Sequence, residues 1–360
     1  MSDLRMLFLE EGRQTAADVA GQLAAFVGSA TASVDIAIYD MHLTGQAQSL
    51  LIGALQARQS AGVRVRICYD SGDNSATPWA AHSLGAEPVT TQTGSYLATT
   101  GLPSKAIASE MNLMHQKYII VDANTPNAQV LTGSCNFTDD AWSLQENNLL
   151  FIPSPQLAAY YAQDFGELWS TADIQTTGAH DTGSAALSYA GAPADATVYF
   201  APGQGQRIDS MVAHCLGRAH REVTLAVHVL TSGHILGALH DLIQEGLPID
   251  GIYDRTQMQG VFQQWQQVPT NGWKIPAFAD LVQYGRLAGK DSTPWSPTSI
   301  HDFMHNKVII VDDTVITGSY NFSRNAQGNA ENLLMIDSPA LAADYRAYIR
   351  GLEARYGQPA

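Results

Sequence analysis

The sequence predicts an α/β protein built from two α/β/α halves that are related by a pseudo-twofold axis. Each half is expected to contain a mixed, mostly parallel sheet covered by helices. Strand-like and helix-like segments alternate along the chain, which is typical of βαβ units. The second observation is an internal duplication, in which SPQLAAYY at 154–161 returns as SPALAADY at 338–345. A two-copy repeat of this length favours two similar halves over a solenoid.

The predicted elements follow the same order in both halves. Segments with apolar residues at helical spacing predict helices, and β-branched or alternating runs predict strands. Ser154 followed by Pro155 has the composition of a helix N-terminus. In the first half the helices are predicted at 14–29, 44–60 and from 154, and the strands at 31–41, 63–70 and 147–152. In the second half the strands are predicted at 198–202, 220–230 and 247–255, and the helices at 205–219 and 233–245.

Two segments read as irregular structure. Residues 71–112 are rich in Ser, Thr and Gly and are predicted to be loops over a site. Residues 172–194 are small, polar and Gly-rich, and they are predicted to be a linker between the halves. The predicted domains are therefore 1–171 and 195–360, joined by 172–194.

The whole-chain composition is that of a globular protein with a substantial core. The chain has 360 residues, is 45% hydrophobic and carries a formal net charge of −15. An acidic surface disfavours non-specific binding to nucleic acid or anionic membranes, although it leaves room for a local basic cleft. Three cysteines, the short apolar run at the N-terminus and the lack of a long apolar window favour a cytoplasmic protein without a transmembrane segment.

One motif block occurs twice and carries the chemistry. A His-x-Lys pair is followed seven residues after the His by an Asp, then by Gly-Ser-x-Asn, and ten residues after the Asn by a Glu. Two ordered strings of this length are hard to ascribe to chance. The first copy contains His115, Lys117, Asp122, Ser134, Asn136 and Glu146, and the second contains His305, Lys307, Asp312, Ser319, Asn321 and Glu331.

These blocks resemble the signature of the phospholipase D superfamily, HxKxxxxD followed by GSxN. The resemblance covers both blocks and, more loosely, the whole chain. It implies a phosphodiesterase in which one histidine is the nucleophile and the other is the acid, without a metal or another cofactor. It assigns the nucleophile to the N-terminal copy, His115, whereas the near-symmetric motifs themselves give no reason to prefer either histidine.

The spacing within each block predicts one polar patch per half. Residues i and i+2 of a strand share a face, so each His projects with its Lys and each Ser with its Asn. In-line displacement at phosphorus needs a nucleophile on one side and a proton donor on the other, which two histidines across a pseudo-dyad would supply. The lysines would neutralise the non-bridging oxygens, and Ser134, Ser319, Asn136 and Asn321 would donate hydrogen bonds to them.

The acidic residues of the blocks are predicted to have two different roles. Asp122 and Asp312 lie an odd number of residues from their histidines, so they should face away from the site and bond to backbone at a hairpin turn. Glu146 and Glu331 could be solvated loop carboxylates. The matching offset in both halves instead favours partners for an imidazole nitrogen, which would fix its tautomer.

The substrate is left open between two classes of phosphodiester. The form Gly-Ser-x-Asn-Phe in both halves resembles small bacterial endonucleases and the mitochondrial cardiolipin hydrolase branch, so a nuclease on single-stranded or flexible nucleic acid is favoured. The alternatives are a phospholipase D or transphosphatidylase, and a catalytically silent binding protein. Because one chain holds both motifs, a monomer is expected. Nucleic acid would be held by Arg255, Lys274 and Arg324 and by stacking on Trp265, Trp273 or Trp295.

Overall fold

The computed structural model describes residues 3–72, 92–108, 112–175, 177–296 and 298–357. The first half forms a seven-stranded sheet in the order β1-β9-β7-β6-β2-β4-β5 beside a two-stranded ribbon of β3 and β8. Its strands are β1 (Arg5–Leu9), β2 (Ser33–Ile38), β3 (Met41–His42), β4 (Arg64–Asp70), β5 (Ser104–Ile107), β6 (Lys117–Val121), β7 (Gln129–Gly133), β8 (Phe137–Thr138) and β9 (Asn147–Ile152). Its helices are α1 (Ala16–Gly28), α2 (Gly45–Ser60), α3 (Thr93–Thr100), α4 (Asp139–Ser143) and α5 (Pro155–Thr171).

The second half repeats this arrangement in an eight-stranded sheet ordered β10-β11-β17-β16-β15-β12-β13-β14. Its strands are β10 (Gly183–Tyr189), β11 (Ala192–Ala201), β12 (Val223–Val227), β13 (Ile249–Asp254), β14 (Leu287–Lys290), β15 (Lys307–Val311), β16 (Thr314–Gly318) and β17 (Glu331–Asp337). Its helices are α6 (Gly205–Leu216), α7 (Gly233–Gln244), α8 (Arg255–Gln267), α9 (Lys274–Gln283) and α10 (Pro339–Tyr356). Two α/β halves with mixed sheets are thus present, as predicted.

The sheets are not mostly parallel, which corrects one part of the prediction. Among the described strands, four of the six pairings in the first sheet are antiparallel. In the second sheet five of the seven are antiparallel. The cause is the motif block itself, because a strand, a tight turn and a returning strand must run antiparallel. Among the described strands of these two sheets, the parallel pairs come from the βαβ units on the other side of β2 and β12, and the small ribbon of β3 and β8 is parallel as well.

The segment predicted as a linker contains a β-hairpin. Strand β10 and the start of β11 lie within 172–194, and β11 continues the second sheet by pairing with β17. The turn between them is at Ala190 and Gly191, which both have positive φ, as a tight two-residue hairpin turn requires. The Ala- and Ser-rich strand has low β-propensity, and its alternating burial is visible only once it packs on the sheet.

Regular structure also occurs within the region predicted to be loops. Helix α3 and strand β5 lie between residues 92 and 108, and β5 extends the sheet beyond β4. Residues 73–91 and 109–111, which belong to the same predicted loop region, are outside the described residues. The Thr- and Ser-rich sequence of α3 has no strong helical pattern. So short a helix is held by tertiary contacts and not by helix propensity, which is why the sequence did not predict it.

Helices α5 and α10 join the two halves through one shared core. Their apolar faces belong to a single cluster that also includes β-strand residues of both sheets. Each helix begins with a Ser that accepts a hydrogen bond from a backbone amide of the first turn and is followed by Pro, as predicted for Ser154. Two further clusters cover the outer faces of the sheets. The duplicated helices therefore hold the two motif blocks against each other.

The glycine of each Gly-Ser pair is required by a close approach of two strands. Gly133 has φ +157° and Gly318 has φ +144°, and an added Cβ would lie 2.1 and 2.4 Å from the carbonyl oxygens of Asn148 and Asn332. We expect Gly133→Ala or Gly318→Ala to lower the free energy of unfolding by about 1–3 kcal/mol or more, because the strands must separate.

Urea unfolding would measure this effect, and Gly53→Ala is the matched control. Gly53 lies in the interior of α2, and an added Cβ would meet nothing within 4 Å. The control should therefore gain about 0.5–1 kcal/mol of stability. Equal stability of Gly133→Ala and the wild-type protein would contradict the proposed strand contact.

Candidate active site

The two His-Lys pairs begin the two central motif strands. His115 lies two residues before Lys117, the first residue of β6, and His305 lies two residues before Lys307, the first residue of β15. Every residue of both strands is buried. The lysines are almost fully buried, and this burial lowers the pKa of both ammonium groups. Lys117 Nζ donates to the backbone oxygen of His115 at 2.9 Å, and Lys307 Nζ donates to that of His305 at 2.7 Å. Each Lys thus lies beside its own His, as the i, i+2 spacing predicts.

Backbone hydrogen bonds bring the two blocks together across the halves. The amide of His115 donates to the oxygen of Ala330 at 2.9 Å, and the amide of His305 donates to the oxygen of Glu146 at 3.0 Å. Each histidine is therefore placed by the strand-start segment of the opposite half. A site formed in this way needs both halves.

His115 has a carboxylate partner from the other half. Its Nδ1 lies 2.8 Å from Glu331 Oε2, and Glu331 is fully buried. Burial lowers the pKa of His115 to about 4, with Glu331 opposing this effect and Lys117 adding to it. The imidazole is consequently neutral near pH 7, with Nδ1–H donated to Glu331 and Nε2 left unprotonated.

His305 has an amide partner instead. Its Nδ1 lies 3.1 Å from Asn147 Oδ1. Burial lowers the pKa of His305 well below its usual value, and the neighbouring Lys307, His228 and Lys117 act in the same direction. The two histidines therefore differ in their electrostatic surroundings although their motifs look alike.

The carboxylate of Glu146 is bonded to other residues and not to the imidazole of His305, which differs from the predicted partnership. Its Oε2 lies 2.6 Å from Lys290 Nζ, and its Oε1 accepts a hydrogen bond from Tyr356 at 2.5 Å. Lys290 is buried as well and also pairs with Glu11 at 3.1 Å. The Glu146 carboxylate thus belongs to a buried charged cluster behind the site.

Strand register explains why the two Glu residues differ. Gly133 pairs with Leu149 in the first half, whereas Gly318 pairs with Leu333 in the second. Counting back from these partners places Asn147 at the position of Glu331 and Glu146 at the position of Ala330. The first half has one more residue between the Gly and its partner, so the equal spacing from Asn to Glu in the sequence is misleading.

The two motif serines bind the backbone of the neighbouring strands. Both are fully buried, and their hydroxyls accept hydrogen bonds from the backbone amides of Asn148 and Asn332 at 3.0 and 2.9 Å. Ser134 also donates to Asn147 Oδ1 at 2.7 Å. These contacts differ from the predicted donation to substrate oxygens.

The motif asparagines are arranged differently from the serines. The side chains of Asn136 and Asn321 are partly exposed, and within the described part of the chain the buried Oδ1 atom of each has no hydrogen-bond partner. An amide oxygen only accepts hydrogen bonds, so an anionic ligand would be bound through the Nδ2–H groups of these two side chains.

The motif aspartates are remote from the imidazoles. Asp122 accepts backbone hydrogen bonds from 31–33 at 2.6–3.1 Å, and Asp312 accepts from 220–222 at 2.8–3.2 Å. Both have positive φ at the turn of the motif hairpin. They fasten the hairpin to the start of the neighbouring strand, which agrees with the predicted structural role.

Several residues at the site are not among the predicted site residues. Tyr39 and His228 follow β2 and β12 at equivalent positions, and their rings lie 4.9 and 5.1 Å from those of His115 and His305. The sequence signal for them is their place directly after a strand that pairs with a motif strand. Asn147 and Lys290 have no such signal, because their importance depends on register.

Two features are absent from the described ranges. No helix there is long and apolar enough to cross a membrane. No group of three or more His, Cys, Asp or Glu side chains in those ranges is arranged to hold a metal ion. Cys135, inside the first Gly-Ser-x-Asn, is buried in the core, and burial raises the pKa of its thiol.

The known proteins that resemble this chain include two sequence relatives and a solved structure of similar fold. A protein named phospholipase D from Rickettsia felis is 28% identical over 137 residues, or 37% of this chain and 58% of that protein. Its counterpart from Rickettsia bellii is 26% identical over 148 residues, or 41% of this chain and 64% of that protein. The chain thus spans less than two thirds of these relatives. The crystal structure of phosphatidylserine synthase from Haemophilus influenzae has the same fold, with a TM-score of 0.63 at 13% identity over 98% of this chain and 88% of that one.

A family model establishes the relationship over both halves. The model described as "Cardiolipin synthase, PLD-like domain" matches residues 23–169 and again 212–352. These two segments contain both motif blocks and most of the chain. The chain therefore belongs to the phospholipase D superfamily.

Proposed function

We propose that the protein is a phosphodiester hydrolase or transferase that acts through a covalent phosphohistidine. The observation that carries the proposal is the buried pairing of His115 with Glu331 of the opposite half at 2.8 Å. This pairing presents an unprotonated Nε2 beside two buried lysines, which is the arrangement of a nucleophile next to a phosphoryl-binding site.

In the first step His115 Nε2 attacks phosphorus and forms the N–P bond. The bond to the leaving oxygen breaks, and that oxygen keeps the bonding electrons and receives a proton from His305. An anionic phosphoryl group raises the proton affinity of His305 when it binds, so the acid is charged when it is needed. Lys117, Lys307 and the amides of Asn136 and Asn321 stabilise the non-bridging oxygens.

In the second step His305 removes a proton from water or from an alcohol. The resulting oxygen bonds to phosphorus, the N–P bond breaks, and its electrons return to His115 Nε2. Water gives hydrolysis and an alcohol gives transfer. The same residues serve both outcomes, and neither step requires an oxidant.

For the substrate we favour a phospholipid over the nucleic acid suggested by the motif style. The relatives named phospholipase D support this choice. Some of the contacts predicted for nucleic acid are already used within the protein. Arg255 pairs with Asp291 at 2.6 Å, and Trp265 is packed in the core. Lys274 is occupied by the backbone oxygen of Thr231. With both motif blocks in one chain, we propose that a monomer is active.

The test compares headgroup release from phosphatidylcholine and phosphatidylglycerol vesicles with cleavage of a fluorescent single-stranded oligonucleotide in one low-salt buffer. We expect lipid turnover that rises once the substrate forms vesicles, and an inert oligonucleotide. Rapid cleavage of the oligonucleotide with intact lipid would reverse the substrate assignment. Inactivity on all of these and on bis(p-nitrophenyl) phosphate would overturn the phosphodiesterase proposal.

Chelation should leave the activity intact. Lys117 and Lys307 supply the cationic groups that a metal ion would otherwise provide at the phosphoryl oxygens. We expect kcat in EDTA to remain within about twofold of its value without chelator, a change too small to reflect loss of a charge-stabilising group. Activity that disappears in EDTA and returns with a divalent cation, but not with matched ionic strength, would contradict this expectation.

A further inference from the structure

We propose that Asn147 is a positioning residue for His305 and that it sets the pH range over which His305 carries its proton. It stands where Glu331 stands in the other half. Among the residues that the structure describes, His115 has a carboxylate partner and His305 has an amide partner. This inference rests on the proposed function for its kinetic consequence, but its structural part concerns the protein alone.

The hydrogen-bond networks of the two halves establish the equivalence. Asn148 Nδ2 donates to Asn306 at 2.8 Å, and Asn332 Nδ2 donates to Gln116 at 2.7 Å, so Asn148 and Asn332 have matching places behind the site. The residue before each of them faces the imidazole of the opposite half. In the second half this residue is Glu331, and in the first half it is Asn147.

The orientation of the Asn147 amide is fixed by its other contacts. Its Nδ2 donates to the backbone oxygen of Ala141 and to Gln145 Oε1, both at 3.1 Å. Its Oδ1 accepts from Ser134 at 2.7 Å. The oxygen therefore faces His305, and because an amide oxygen only accepts, His305 must carry its hydrogen on Nδ1. Nε2 is then the atom that receives and delivers the proton.

No carboxylate of the described residues is bonded to the imidazole of His305, and the charged groups near it are basic. Lys307, His228, Lys117 and His115 all act against a positive imidazole. The carboxylate of Glu146, one residue away from Asn147, is engaged by Lys290 at 2.6 Å. The same cluster contains Glu11 and Tyr356. The charge of the Glu146 carboxylate is thus compensated by Lys290, and the carboxylate does not pair with His305.

Because of this asymmetry, the charged imidazolium forms of the two histidines are stabilised to different extents. The imidazolium of His115 would be stabilised by Glu331, whereas that of His305 would be stabilised only by the neutral amide oxygen of Asn147. A histidine that holds its proton weakly gives it readily to a leaving oxygen. Asn147 therefore keeps His305 suited to proton transfer, and Glu331 keeps His115 suited to bond formation.

The test is the Asn147→Asp variant, which gives His305 a carboxylate at the same position. In ¹⁵N-histidine NMR spectra, with the His305 signal identified by its loss in His305→Asn, we expect its pKa to rise by about 1–3 relative to the wild-type protein. The alkaline limb of the kcat–pH profile should move to higher pH in parallel. An unchanged pKa of His305 in folded Asn147→Asp protein would overturn the proposal.

The control removes both charges of the neighbouring pair, by combining Glu146→Gln with Lys290→Met. If that pair is neutralised internally, the pKa of His305 should move by much less than in Asn147→Asp, and an equal shift would contradict the proposal. If Asn147→Asp does not fold, the wild-type spectra decide: ¹⁵N shifts must place the hydrogen on Nδ1 of His305, and a hydrogen on Nε2 would overturn the inference. Because the spectra need no substrate, failure of the proposed phosphodiesterase activity would be seen separately.

Discussion

Replacement of either motif histidine should remove nearly all turnover. We expect His115→Asn and His305→Asn each to lower kcat by about 10⁴- to 10⁶-fold on a phosphodiester with an alkyl leaving group, because groups that act as a unit are individually indispensable. The double variant should be little worse than either single one. Steady-state assays on purified variants, with folding checked by circular dichroism, measure the effect.

The two variants should differ when the leaving group needs no proton. With a p-nitrophenyl ester, His305→Asn should still form an adduct, whereas His115→Asn should not, since it lacks the attacking nitrogen. Acid-labile label from quenched substrate is expected on a peptide containing 113–121. The control is His240→Asn, which removes a partly buried histidine bonded to Asp280, far along the chain from both motifs. Label found only on a peptide containing His305 would reverse the two roles.

The sequence contained enough information to place each His beside its Lys, but not to identify the partner of each imidazole. The i, i+2 rule put each His beside its Lys, and the odd step put Asp122 and Asp312 at the hairpin turns, as the structure has them. The partner of each imidazole comes from the opposite half, and no pattern within a single block specifies it. One additional residue before β9 was enough to exchange Glu146 for Asn147 at the ring of His305.

Fold prediction succeeded where periodicity was strong and failed where tertiary contacts decide. Strand β9 was predicted with its observed bounds, and α2 and the start of α5 were predicted within about one residue. The hairpin of β10 and β11 was missed because Ala, Ser and Gly resemble a linker when only composition is considered. The proportion of antiparallel pairs was misjudged because the βαβ pattern was extended to strands that the motif hairpins connect directly.

Loss of the Glu331 charge should be the next most damaging change. We expect Glu331→Gln to lower kcat by about 10²- to 10⁴-fold, as when the carboxylate behind a catalytic histidine is made an amide. The amide can no longer stabilise a positive imidazole. The Nε2–H of the new glutamine side chain can donate to His115 Nδ1, which would move the ring hydrogen to Nε2 of the imidazole. A ring protonated on Nε2 has no lone pair for phosphorus. Single-turnover measurement of adduct formation is the direct readout.

The asymmetry of the site makes this prediction specific to one half. Glu146→Gln alters a carboxylate that Lys290 already holds, so its effect on kcat should be at least about tenfold smaller than that of Glu331→Gln, as expected for a group that acts only through its surroundings. Glu353→Gln, which removes a carboxylate bonded to the amide of Gly251 at 2.7 Å, controls for the general cost of losing a partly buried charge. Equal losses of kcat from Glu146→Gln and Glu331→Gln, in variants that unfold at the same urea concentration, would contradict this prediction. Both carboxylates would then act on the histidines, and the amide of Asn147 would have no part in separating the roles of the two rings.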